Sequence, residues 1–174
     1  MKAGITARLL AAAVLMAAAV AVHAADLKVW TGGPTPGLSL KDLDGAAQAL
    51  QAYRGKVVVL NFWATWCEPC RDEMPSFNKL RQSFEGKPVV VLAVNVGEGE
   101  GRIAEFLRKV PVDFPVLLDR NAAASKAWKV RLLPATFILG RDGRVRYSYA
   151  GERDWGDVAV RAKITALLEE KSGR

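Results

Sequence analysis

Val57-Val58-Val59-Leu60-Asn61-Phe62-Trp63-Ala64-Thr65-Trp66-Cys67-Glu68-Pro69-Cys70 is the stretch that decides the fold. The run from Val57 to Phe62 is almost unbroken in its apolar character, as a strand buried on both faces would be. Beyond the two cysteines, Cys70, Met74, Phe77, Leu80 and Phe84 recur at intervals of three or four. That spacing predicts a helix with one face turned inward. A buried strand therefore runs into a helix, and the Cys-x-x-Cys pair sits at the junction. Pro69 falls in the first helical turn, where a missing N–H costs little. Pro75 lies mid-helix and predicts a kink.

This placement carries chemistry. A helix N-terminus offers free backbone N–H groups and the positive end of the dipole, and both favour a thiolate. Cys67 is thus placed to attack, with a depressed pKa. Cys70, one turn further on the same face, can resolve a mixed disulfide formed at Cys67. A purely structural bridge is a poorer account, because so small a loop constrains the unfolded chain by only about 2 kcal/mol. Zinc needs three or four ligands, and two thiols are available.

Working outward, further apolar runs at Val89–Val94 and Ala135–Leu139 predict strands. The latter joins Val145–Tyr149 across Gly140-Arg141-Asp142-Gly143, a hairpin signal. Leu38–Leu43 predicts a short edge strand closed by a turn at Asp44-Gly45, and Val116–Leu118 another short strand. Helical spacing appears at Ile103, Phe106, Leu107 and Val110, at Ala122–Trp128, and at Val160, Ile164, Leu167 and Leu168, with Asp154 as the candidate N-cap. Early alternation of strand and helix followed by a hairpin predicts an α/β fold with a mixed central sheet flanked by helices.

The N-terminus reads as a targeting segment. Lys2 and Arg8 precede an uncharged Ala-rich stretch, Leu9 to Val22, and Val22-His23-Ala24 fits the small-x-small rule for cleavage. Residues 1–24 are accordingly a signal peptide, or a membrane anchor, although the stretch is short for a span of about 20 residues. Residues 25–37, rich in glycine and proline, read as an irregular lead-in, and 38–171 as the folded domain. Cleavage removes His23, the only histidine, which excludes Cys-His and Ser-His-Asp mechanisms from the mature chain. The net charge of +7 is spread without a basic run, as on a solvated surface, and predicts no nucleic-acid partner. Membrane contact is expected only if the leader is retained.

The block from Val58 to Pro75, together with Phe114-Pro115-Val116-Leu117-Leu118-Asp119 and Leu133-Pro134-Ala135-Thr136-Phe137-Ile138, resembles the TlpA-like and ResA-like extracytoplasmic thioredoxins over residues 36–168. The resemblance implies a thioredoxin fold with a central strand-helix insertion near Gly97–Leu118. It also implies a thiol–disulfide oxidoreductase whose redox group is its own Cys67–Cys70 disulfide, with no other cofactor and no metal. Its partners would be cysteine-containing proteins, such as apocytochrome c before haem attachment or a copper site in assembly, and a membrane thiol–disulfide reductase. Its location would be the periplasm. Pro134 matches the family's cis-proline, which leaves the backbone of Leu133 free to pair with substrate. Trp66, Glu68 and Pro69 would complete the substrate-binding rim, with Trp63 in the core. Gly151 would let the backbone pass close to the site. Asn61 replaces the buried aspartate of plain thioredoxin, so the proton-carrier role passes to Glu73, three residues after Cys70. A carboxyl buried there is expected to have a raised pKa. Glu68 beside Cys67 leans the site towards a reductant.

Two rival chemistries remain at this level. Two soft thiolates can hold Cu(I), although related copper chaperones add a histidine. A peroxidase of the peroxiredoxin kind shares the Phe-Pro-Val-Leu-Leu-Asp flavour, but it usually carries threonine three residues before its cysteine, where this chain has Ala64.

Overall fold

The computed structural model describes residues 27–170. The proposed leader, 1–24, lies outside the described residues. Among the described residues eight strands form: β1 (Lys28–Val29), β2 (Ser39–Lys41), β3 (Ala47–Ala49), β4 (Val57–Trp63), β5 (Val89–Val96), β6 (Val116–Asp119), β7 (Ala135–Leu139) and β8 (Val145–Ala150). The helices are α1 (Glu68–Ser83), α2 (Glu100–Lys109), α3 (Ala123–Ala127) and α4 (Val158–Glu169). Six strands make one mixed sheet in the order β1-β8-β7-β4-β5-β6. β4, β5 and β6 are parallel, while β7, β8 and β1 alternate against them.

β4 is central and buried along its whole length, which is why its sequence shows no polar alternation. Its side chains still divide between two faces. Val57, Val59 and Trp63 face a core built with Met74, Phe77 and Leu80 of α1, Ile103 of α2, and Val160, Ile164 and Leu167 of α4. Val58, Leu60 and Phe62 face a second core with Leu92, Val94, Leu117, Trp128 and Phe137. Aromatic edges interlock there: Trp128 and Phe137 lie 5.0 Å apart, and Trp30 and Phe137 lie 5.6 Å apart.

The structure revises several sequence expectations. The lead-in is not wholly irregular, since Lys28–Val29 pairs with β8 as an edge strand. The strand expected over Leu38–Leu43 is half of a hairpin, β2–β3, which stands outside the main sheet. Asp42 closes its turn by accepting from Ala46 N–H at 2.8 Å and Asp44 N–H at 3.1 Å. The last helix is capped by Asp157 rather than Asp154: the Asp157 carboxylate accepts from Val160 N–H at 2.7 Å. Asp154 instead tightens the preceding turn by accepting from Gly156 N–H. α1 runs on through Pro75. The insertion is a helix followed by a strand, α2 then β6, and it extends the parallel side of the sheet.

Candidate active site

The end of β4 delivers the chain to the turn Ala64-Thr65-Trp66, and Cys67 stands at the N-cap of α1 with extended backbone. Cys67 N–H donates to Ala64 C=O at 3.2 Å, and Cys67 C=O accepts from Arg71 N–H at 3.2 Å as the helix begins. Cys67 and Cys70 are joined in a disulfide with Cα atoms 5.2 Å apart. Cys70 is fully buried and Cys67 retains a 5% exposure. Of the two sulfur-bearing residues, Cys67 is therefore the one that solvent reaches. Pro69 lies in the first turn of α1, as its missing N–H favours.

Trp66 is 65% exposed, an unusual position for so large an apolar surface. It stands between two clefts. One, of about 350 Å³, is shared with Val130, Leu132 and Leu133. The other, of about 510 Å³, opens toward Arg71 of α1 and Arg102 and Phe106 of α2. Leu133 also packs against the core that holds both cysteines, and the Leu133–Pro134 bond is cis. Pro134 C=O accepts from Gly151 N–H at 2.9 Å, and Gly151 has φ +115. A positive φ suits glycine there. Glu68 is exposed in the first turn of α1.

Glu73 lies on the same side of α1, one turn beyond Cys70, and is 1% exposed. Its Oε1 accepts from Asn61 Nδ2 at 2.8 Å, and its Oε2 accepts from Trp155 Nε1 at 2.9 Å. Burial pushes its carboxyl up to about 8; the Trp155 indole, the Asn61 amide and the Arg153 backbone pull the other way, and the Glu152 charge adds to the rise. Desolvation wins because the donors are neutral and cannot replace bulk water around a full charge. The donors are themselves fixed. Asn61 also donates to Thr136 Oγ1 at 3.0 Å. Trp155 stacks on Phe77 at 5.1 Å and donates its backbone N–H to Ser76 Oγ at 3.0 Å. Asn61 Oδ1 has no partner among the described residues.

Sequence reading placed Cys67, Cys70, Glu73, Trp66, Leu133 and Pro134 in this region and missed two contributors. Trp155 reads from sequence as packing or surface, yet its indole donates to the Glu73 carboxyl across 82 residues of sequence. Glu98 carries no motif, yet both its oxygens bind Thr65 in the turn before Cys67.

Residues 31–148 match the family model described as the AhpC/TSA family. The chain is 38% identical over 130 residues to thiol-disulfide oxidoreductase ResA of Geobacillus thermodenitrificans, a match covering 75% of each chain. It is 38% identical over 125 residues to ResA of Bacillus subtilis, covering 72% of this chain and 70% of the relative. A solved structure from Chlorobium tepidum, described as a thiol:disulfide interchange protein DsbE, superposes with a TM-score of 0.73 at 31% identity, covering 81% of this chain and 99% of that one. With its Cys67–Cys70 pair at a strand-to-helix junction of a thioredoxin-like sheet, the chain belongs to the AhpC/TSA family of the thioredoxin superfamily and is a thiol-disulfide oxidoreductase similar to ResA.

Proposed function

We propose that the protein is a reductant of protein disulfides outside the cytoplasm, with Cys67 attacking, Cys70 resolving and Glu73 carrying the proton. The observation that carries this reading is Glu73: a carboxyl buried one helical turn from the buried cysteine, with its pKa raised to about 8. Such a group changes protonation near neutral pH, as an acid–base partner for a thiol must.

In the reaction the Cys67 thiolate attacks one sulfur of the substrate disulfide. That S–S bond breaks, a mixed disulfide forms, and the leaving thiolate takes a proton from solvent, replacing the one Cys67 had released. Glu73 in its ionised form then accepts the Cys70 proton. The Cys70 sulfur attacks Cys67 Sγ and expels the second substrate thiolate, which is protonated in turn. The substrate has gained two electrons and two protons, and the protein holds the Cys67–Cys70 bridge. A membrane thiol–disulfide reductase restores the dithiol.

Substrate docks across Trp66 and the cleft it shares with Leu133, whose backbone pairs with the segment carrying the target cysteine. Glu68 and Pro69 complete the rim, and the Glu68 charge opposes the Cys67 thiolate, in keeping with a reductant. The preferred substrates are cysteines of apocytochrome c awaiting haem, with a copper-site protein second. Residues 1–24 direct export to the periplasm.

Two measurements test this. The Cys70→Ala protein should trap a mixed disulfide at Cys67 when mixed with an oxidised substrate peptide. The Cys67–Cys70 reduction potential should lie near or below about −270 mV; a value near about −120 mV would reverse the direction of electron flow.

A further inference from the structure

Glu98 lies in the loop between β5 and α2, and its side chain turns back toward the turn that presents Cys67. The residue is 8% exposed. Its Oε2 accepts from the Thr65 backbone N–H at 2.6 Å and from Asn95 Nδ2 at 2.8 Å. Its Oε1 accepts from Thr65 Oγ1 at 2.6 Å. Arg102 Nη1 stands 3.8 Å from Oε1, from a largely exposed side chain. Three close donors hold this carboxylate, and solvent reaches little of it. Hydrogen bonds to an ionised acceptor are roughly twice as strong as neutral ones.

Thr65 is two residues before Cys67, between the last pairing of β4 and the first turn of α1. Its N–H belongs to neither element, and Glu98 satisfies it. The contact bridges 33 residues of sequence and joins the turn to the start of the α2–β6 insertion.

We propose that Glu98 is a positioning residue for thiol–disulfide exchange: it ties the Ala64–Cys67 turn to the insertion, so that the Cys67 sulfur and the Trp66 indole meet a substrate in one orientation, beside a fixed negative charge. The inference deepens the assignment of Cys67 as the attacking sulfur and rests on it. Thr65 is two residue steps, at most about 7 Å of chain, from Cys67, so the Glu98 charge is held against the turn that carries the sulfur. Glu68 acts on the thiolate in the same sense. Arg71 and Arg102, which line the cleft beside Trp66 with Asp72, and the positive end of α1 act in the opposite sense.

Tether and charge are separable. In Glu98→Gln the amide oxygen can replace Oε2, accepting from Thr65 N–H and Asn95. The amide nitrogen can donate to Thr65 Oγ1, because a hydroxyl also accepts. That variant keeps the tether and loses the charge, whereas Glu98→Ala loses both.

The test reacts the reduced protein with oxidised glutathione and reads the rate constant, the equilibrium constant and the Cys67 thiolate absorbance across pH. Glu98→Ala is expected to lower the rate constant about tenfold. Glu98→Gln is expected to shift the equilibrium about threefold toward the dithiol and to lower the Cys67 thiol pKa. Thr65→Val removes the hydroxyl from an accessible turn, folds without disturbing the core, and is expected to slow the reaction about threefold. Added to Glu98→Ala it should cost nothing further. Wild-type rate and equilibrium constants in Glu98→Ala, or independent losses from the two substitutions, would overturn the proposal. The mixed disulfide trapped by Cys70→Ala reports separately on Cys67. If it forms while the Glu98 variants behave as wild type, the tether alone is refuted.

Discussion

The two faces of β4 are equally buried and built to opposite rules. Toward α3 and the lead-in, Leu60, Phe62, Leu92, Phe137 and Trp128 form a dry aromatic and aliphatic core. Toward α1, the same sheet inserts Asn61, Thr136 and Asn95 among its apolar residues, and α1 adds Glu73; all four are at most 1% exposed. Each of these side chains costs desolvation and is held by at least one neighbour, Asn61 with Glu73 and Thr136, Asn95 with Glu98. The disulfide belongs to this second face. The difference teaches that one side of the sheet supplies stability without titration, while the other accepts a stability cost that varies with pH and keeps a proton near a buried thiol.

The contrast is broken most severely from the dry face. Trp128→Ala should cost about 3–5 kcal/mol in denaturant unfolding and leave the pH dependence of stability unchanged. A changed pH profile in that variant would mean that the faces are not independent.

The next effect is on the polar face. Glu73 has a folded pKa of about 8 against an ordinary 4.5, so the folded chain keeps a proton that the unfolded chain releases. Stability from this source is complete below about pH 4.5 and is lost as pH rises through about 8. The loss is on the order of 5 kcal/mol for the oxidised protein. Glu73→Gln should flatten that decline and be the more stable form at high pH. Its amide can meet the unpartnered Asn61 Oδ1 once the Asn61 amide turns over. The measure is urea unfolding between pH 5 and 9; a wild-type stability that does not fall over that range would refute the buried, protonated carboxyl.

Trp155→Phe keeps a ring for the stack on Phe77 but removes the donor to Glu73 Oε2. It should cost about 1–3 kcal/mol and raise the Glu73 pKa further, visible as a pH–rate profile displaced to higher pH. At the small end, Asp113→Asn breaks the half-exposed Arg81–Asp113 ion pair and should change stability by at most about 1 kcal/mol, less at high salt.

What the sequence revealed and withheld follows the same division. Val57–Phe62, the stripe from Cys70 to Phe84 and the Cys-x-x-Cys spacing are local patterns, so the sheet centre, α1 and the dithiol were legible. The place of Glu73 beside Cys70 was legible from its fixed helical offset, and its expected role from the family resemblance. Trp155 and Glu98 were not, since a hydrogen bond across 82 or 33 residues leaves no periodicity to read. Asp154 and Asp157 lie three residues apart and are chemically identical as caps. Only the position of the first turn, with Val160 N–H offered to Asp157, separates them. Lys28–Val29 is too short to alternate, so its pairing with β8 had no signature.

One feature outside the site bears on how the chain behaves in a crowd. The insertion leaves β6 as the outer parallel strand, an edge with free backbone donors and acceptors. The β2–β3 hairpin closes it, with Leu43 N–H donating to Val116 C=O at 3.1 Å and Asp42 bridged to Leu117. At the opposite border, β1 is two residues long and carries Lys28. The hairpin thus guards the sheet against self-templating: lengthening its turn or deleting it would expose a ladder on which second copies could add strand by strand, and the first symptom would be aggregation rather than loss of redox chemistry.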